Sequence, residues 1–105
     1  MIAEKHRLDE FDKLENYLKE NEIKYYRRDI NDPNKMERHQ LMVMKHGKLW
    51  WDAICQPGSY GWEEGLLEVM GKPVVRKTDG DTVKGCLTAQ EVIDRYEEFI
   101  NNKEN

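Results

Sequence analysis

The 105-residue chain has only two cysteines, three prolines and no long apolar run. Each scarcity excludes something. Cys55 and Cys86 have no CxxC spacing and no further cysteine to pair with. That rules out the disulfide framework of a small secreted domain and is expected of small buried hydrophobes in a reducing compartment. The longest uncharged run, Ala53 to Trp62, is broken by Pro57, Gly58 and Gly61 and is far short of a membrane span. Met1-Ile2-Ala3 meets Glu4-Lys5-His6-Arg7 at once, so a secretory h-region is missing and a cytoplasmic location is expected. A basic excess is missing too. The net charge is −4, and the local cluster Arg27-Arg28 is offset by Asp29 and Asp32. Direct binding to nucleic acid, which needs lysines and arginines clustered on one face, is therefore not expected. Repeats, linkers, low-complexity segments and cofactor fingerprints are absent as well.

What is present suits one modest domain. Hydrophobic residues make up 38% and charged residues 36%, with ten aromatics to fill a core. A single α+β domain over residues 1–105 is expected, with 1–7 and 101–105 frayed. Charge is unevenly placed: Met1 to Ser59 is neutral, and Tyr60 to Asn105 carries the whole acidic excess.

Leu8, Phe11, Leu14 and Leu18 recur at helical spacing and predict an amphipathic helix ending near Asn21, which tolerates a left-handed cap. Ile23 to Ile30 reads as a strand, closed by the polar turn Asn31-Asp32-Pro33-Asn34. Gln40–Met44 and Lys48–Cys55 flank Lys45-His46-Gly47 and predict a β-hairpin with Gly47 at a positive-φ position. Both faces of both strands are apolar, so each is either covered on two sides or shows one face to a partner. With Leu49, Trp51 and Ala53 towards the helices, simple alternation puts Met42, Met44, Trp50 and Ile54 on the other face, a possible dimer or second interface. Trp62 to Met70 reads as a second helix closed by Gly71 and Pro73, and Val74-Val75 as a strand. Asp79-Gly80-Asp81 then turns towards a strand at Val83 to Cys86. Thr88-Ala89-Gln90-Glu91 is a capping box opening a last helix that buries Val92, Ile93, Tyr96, Phe99 and Ile100. The expected fold is an antiparallel sheet of three to five strands with three helices, in the order α-β-β-β-α-ββ-α.

No constellation specifies a reaction. Pro57-Gly58-Ser59-Tyr60-Gly61 before a helix start resembles a phosphate cradle, but Glu63 and Glu64 in the first turn repel phosphate and no fingerprint spacing matches. A structural turn is the better reading. Cys55, His39 and Asp52 contain the groups of a nucleophilic triad. Asp52 and Cys55, three apart on a strand, must however face opposite sides of the sheet. His39, His46, Cys55 and Cys86 are chemically fit for zinc, and a zinc module or small enzyme built around Cys55 and His39 is the alternative; none of them shows ligand spacing. Glu63, Glu64, Glu68, Glu91, Asp94 and Glu98 are expected to line the outer faces of two helices and to suit a basic partner.

The block Leu49-Trp50-Trp51-Asp52-Ala53-Ile54-Cys55, with Gly58-Ser59-Tyr60-Gly61-Trp62-Glu63-Glu64-Gly65-Leu66-Leu67-Glu68 after it, resembles small uncharacterised proteins of phages and prophages of low-GC Gram-positive bacteria. The likeness extends from about Phe11 to the last helix. It implies a non-enzymatic accessory protein, of the anti-CRISPR kind among others, that inhibits a host nucleic-acid-handling defence protein such as an RNA-guided nuclease. No residue inherits a catalytic role from it. A homodimeric structural phage protein is the other non-enzymatic alternative, and no cofactor is implied.

Overall fold

The computed structural model describes residues 7–103. Helix α1 (Asp9–Glu20) is followed by strands β1 (Tyr25–Ile30), β2 (Arg38–Lys45) and β3 (Lys48–Ile54). A one-turn 3-10 segment, Trp62–Glu64, leads to β4 (Leu67–Met70); a second, Lys77–Asp79, leads to β5 (Val83–Leu87) and helix α2 (Ala89–Lys103). The five strands form one antiparallel sheet in sequence order. Both helices lie on one face of it, so the domain has two layers and the α+β class holds. Among the described residues no helix is long and apolar enough to cross a membrane.

The core lies between the layers. Phe11, Leu14 and Leu18 from α1 and Val92 and Tyr96 from α2 meet Leu41, Val43, Trp51, Ala53, Leu67, Val69 and Leu87 from the sheet. Burying such side chains contributes about 1.5–3 kcal/mol each, the main favourable term in a domain this size. The helices are tied to each other where water reaches: Tyr17 donates to Glu97 at 2.8 Å, and the amide of Ala89 donates to Glu10 at 2.7 Å. The capping box forms as the sequence predicts, with Glu91 N donating to Thr88 Oγ1 and Thr88 N to Glu91 Oε1.

The β2–β3 hairpin turns through His46 (φ 53°) and Gly47 (φ 76°), the paired left-handed conformation of a two-residue hairpin loop. Between Val43 and Met44 the register shifts. Val43 pairs with Trp51 but Met44 with Leu49, leaving Trp50 as the extra residue of a bulge. Simple alternation fails there. Trp50 turns to the helix side and meets the rings of Tyr96 and Phe99 edge-on at 5.7 and 6.2 Å, beside Trp51 at 5.5 Å from Tyr96. Leu49, expected inside, is put outside and is 55% exposed.

The expected middle helix over Trp62–Met70 is replaced by the 3-10 turn and β4. Gly61 (φ 101°) and Gly65 (φ 70°) bound the turn in left-handed conformations that a continuous helix cannot contain. Beyond it, buried Leu67 and Val69 alternate with Glu68 and Met70 at strand period. Val74 and Val75 are not a strand: both amides donate to Gly71 O in a turn that buries Val74. Among the described residues the sheet thus has five strands and the domain two α-helices rather than three. At the end of α1, Asn21 has φ −100° and Glu22, one residue later, takes the positive φ of 55°. Asn101–Lys103, expected frayed, continue α2. Arg7 stacks over Trp62 at 5.1 Å; the rest of the expected frayed segments, 1–6 and 104–105, lies outside the described residues.

Trp51→Ala is expected to destabilise the fold by about 3–5 kcal/mol, as large-to-small changes in closed cores do. Gly71→Ala should also destabilise, because its Cβ would lie 2.5 Å from Trp51 Cβ at φ +121°. Gly80→Ala, at φ +73° with open space around it, should do less. Urea denaturation of the three variants tests this ordering, and a wild-type midpoint for Trp51→Ala would remove Trp51 from the core.

Candidate interaction surface

Among the described residues nothing forms a covering layer on the sheet face away from the helices. Register partners on an antiparallel sheet share a face, so its residues follow from the pairing. Tyr26, Met42, Asp52, Met70 and Val83 form one row across the five strands. Arg28, Gln40, Ile54 and Glu68 form the next, and Met44 with Leu49 sits on the hairpin side. Tyr26, Leu49 and Met70 are each at least half exposed. Towards the hairpin tip, Lys24, Tyr26, Met44, His46 and Gly47 enclose a hollow of about 300 Å³. An exposed apolar face points to an interface rather than idle surface, and the acid at its centre departs from the usual apolar core with a polar rim.

The polar centre is a carboxylate held in a poor place for one. Asp52 is only 7% exposed although it lies on the open face, because Met42, Ile54 and Met70 crowd its row and the next. Among the described residues its carboxylate accepts a hydrogen bond from Gln40 Nε2 at 2.7 Å. Burial raises its pKa; the bond from Gln40 opposes the shift and the nearby charge of Glu68 adds to it. Glu68 is itself held by the amide of Tyr60 at 2.8 Å. Neither carboxylate has an ion pair among the described residues, and the nearest cation of their rows, Arg28, is two strands from Ile54 on the edge strand β1.

Of the predicted interface residues, Met42, Met44 and Ile54 do share this face, and Trp50 does not, for the bulge reason above. The predicted acidic set is not one surface. Glu63 and Glu64 lie on the 3-10 turn, with Glu63 81% exposed and 3.9 Å from Arg7. Glu68 belongs to the open sheet face, and Glu91, Asp94 and Glu98 lie on α2 across the domain. Several are already engaged: Glu91 in the capping box, Asp94 by Gln90 Nε2, and Glu98 by Arg76 at 2.7 Å. The sequence reading did not place Asp52 on this face; its signal is an acid between Trp51 and Ala53 in a largely apolar strand.

The cysteine and histidine constellation does not assemble. Asp52 is on the open face and Cys55 is wholly buried on the other, which separates the three groups of a triad as the strand spacing requires. Cys55 N donates to His39 O, so the two are neighbours, but burial pushes the Cys55 thiol up to about 11 and its Sγ points to Arg7 O. Such a thiol is not a thiolate nucleophile at neutral pH. His39 lies between Asp29 at 2.7 Å and Glu37 at 2.6 Å and stacks beside Trp62, so both ring nitrogens are taken. His46 is at the hairpin tip. Cys86 is exposed at φ 59° in the β4–β5 bulge. Among the described residues no three His, Cys, Asp or Glu side chains are grouped to hold a metal ion. The Pro57–Gly61 loop is structural: Ser59 Oγ bonds Gln56 N and O, and a Cβ at Gly61 would lie 2.9 Å from Leu66 Cβ.

No protein-family model, curated protein or solved structure matches the chain.

Because the folded state raises the pKa of Asp52, the fold is favoured by its neutral form. Its destabilising contribution is absent below the ordinary carboxyl range, about pH 4, and grows as pH rises through the raised folded value. Asp52→Asn, which can still bond Gln40, is therefore expected to raise the melting temperature at neutral pH. That gain should vanish on acidification, which melts recorded across the acidic range will show.

Proposed function

We propose that the protein acts without chemistry of its own, by docking the open face of its sheet on a protein that presents an arginine or lysine among apolar side chains. The observation that carries this reading is Asp52: a desolvated carboxylate, 7% exposed, next to Glu68 and, among the described residues, without a counter-ion, in the middle of an apolar face that they leave uncovered. A destabilising charge kept at such a position is explained by a cation that a partner supplies. A guanidinium could bridge both carboxylates, and Tyr26, Met42, Leu49 and Met70 would provide the apolar surround that excludes water from the pair. A second copy of the chain fits less well, since symmetric pairing of two such faces brings one acidic centre towards the other.

A basic nucleic-acid-handling enzyme has the required chemistry. An RNA-guided defence nuclease, the target suggested by the resemblance to phage proteins, is one member of that class, and the net charge of −4 would steer the encounter. In this reading the exposed acids of the 3-10 turn and of α2 affect the association rate, and the sheet face holds the partner.

Affinity capture with wild-type protein and three variants tests the proposal. Asp52→Asn and Met70→Lys should each weaken capture of a common partner at least about tenfold, or 1.4 kcal/mol, without lowering the melt. Glu63→Lys/Glu64→Lys should bind nearly as wild type at moderate salt. Capture insensitive to the two sheet-face variants but lost in the double variant returns the interface to the acidic turn. A sedimenting dimer that Met70→Lys dissociates makes the occupant a second copy.

A further inference from the structure

On the opposite side of the domain, between α2 and the segment joining β4 to β5, lies an open cleft of about 850 Å³. Its aromatic wall is Trp50 and Phe99, whose rings meet edge-on. Its charged lining is Lys72, Arg76, Lys77 and Arg95 with a single carboxylate, Glu98. In a chain of net charge −4, four cations around one hollow are against the trend of the molecule.

The cations are not equally occupied. Arg95 is fixed: it donates to both oxygens of Asp79, at 2.8 and 3.2 Å, and to Val74 O at 2.9 Å. Arg76 pairs with Glu98 at the rim, and both side chains are about half exposed, so the bond contributes little and the guanidinium can turn. Lys72 and Lys77 make no ion pair among the described residues. Their backbone is nonetheless set: the amides of Val74 and Val75 close on Gly71 O around Lys72-Pro73, and Lys77 O accepts from Gly80 N. Two ammonium groups without an ion pair among the described residues, on ordered turns beside a half-exposed guanidinium and a fixed one, form an anion site. The adjoining indole and phenyl rings favour a flat apolar group.

We infer that this cleft binds a small molecule carrying a phosphate monoester on a flat ring system, of the nucleotide class, with Lys72, Lys77 and Arg76 on the phosphate and Trp50 and Phe99 against the ring. The volume is within the usual range of small-molecule sites, about 300–1,000 Å³. The cleft is independent of the open sheet face, so the protein can hold such a ligand and a protein partner at once.

Titration of the full chain with AMP, followed by amide chemical shifts, tests the inference. Saturable shifts are expected in 71–77 and 95–102 by millimolar AMP. Adenosine and inorganic phosphate should each bind at least about tenfold more weakly, since each lacks half of the ligand, and added salt should weaken AMP. Lys72→Ala/Lys77→Ala should weaken AMP by a similar factor with an unchanged melt. The inference is overturned if millimolar AMP gives no saturable shift, if the shifts map elsewhere, if adenosine binds as well as AMP, or if the folded double variant binds AMP as wild type does.

Discussion

The register break between Val43 and Met44 is the constraint on which the rest of this structure turns. One unpaired residue in β3 puts two consecutive tryptophans on the same side of the sheet, where a regular strand would separate them. Trp51 then fills the centre of the core against Gly71 and Tyr96, and Trp50 extends the aromatic contact along α2 to Phe99. The same shift sends Leu49 to the open face beside Met44. Both surfaces argued for above follow from it, one gaining an exposed aliphatic side chain and the other its aromatic wall.

Electrostatics divide the molecule in a way its total charge hides. Around α1 and β1 the charges are spent internally. Arg27 lies over Phe11 and reaches Asp12, Glu15 and Asp29, and Asp29 passes the network on to His39 and Glu37. Burial would raise the pKa of Glu15 and of Asp29, and the bonds from Tyr25, Arg27 and His39 overcome it and hold both low. At the far end Arg95 does the same for Asp79, whose carboxyl falls to about 2. Many exposed charges elsewhere have no ion pair among the described residues, and Asp52 and Glu68 on the sheet and Lys72 and Lys77 at the cleft share that lack but stand in a shaped setting. Uncompensated groups of one sign in a shaped setting are better guides to recognition than the overall balance.

The two surfaces also differ in kind. The sheet face is broad and apolar around a buried acid, a form suited to a protein carrying a cation. The cleft is narrower and basic beside aromatic rings, a form suited to a small anion. Neither brings a nucleophile and a base together: the buried thiol of Cys55 is protonated at neutral pH, and His39 is held at both nitrogens by carboxylates.

Much of the frame was legible in the chain, because local physics decides it. The 3.6-residue spacing of Phe11, Leu14 and Leu18, the His46-Gly47 turn and the Thr88–Glu91 capping box each act over a few residues, and each is found where it was read. Apolar residues on both faces of β2 and β3 left open whether those strands are covered on two sides or show one face outward, and the sheet leaves one face open among the described residues. The segment after Trp62 misled because its acids and its Gly71-Pro73 ending imitate a helix. Whether Leu67 and Val69 alternate across a strand or line a helix is settled only by the sheet edge that β3 offers them. The fate of Trp50, the desolvation of Asp52 and the gathering of Lys72, Lys77 and Arg95 around one hollow depend on a bulge, on neighbouring strands and on a helix far along the chain. Local spacing therefore determined the elements and their caps. Only the tertiary structure decided which side chains lost their water and which charges were left unpaired, because solvation and pairing depend on neighbours distant in sequence.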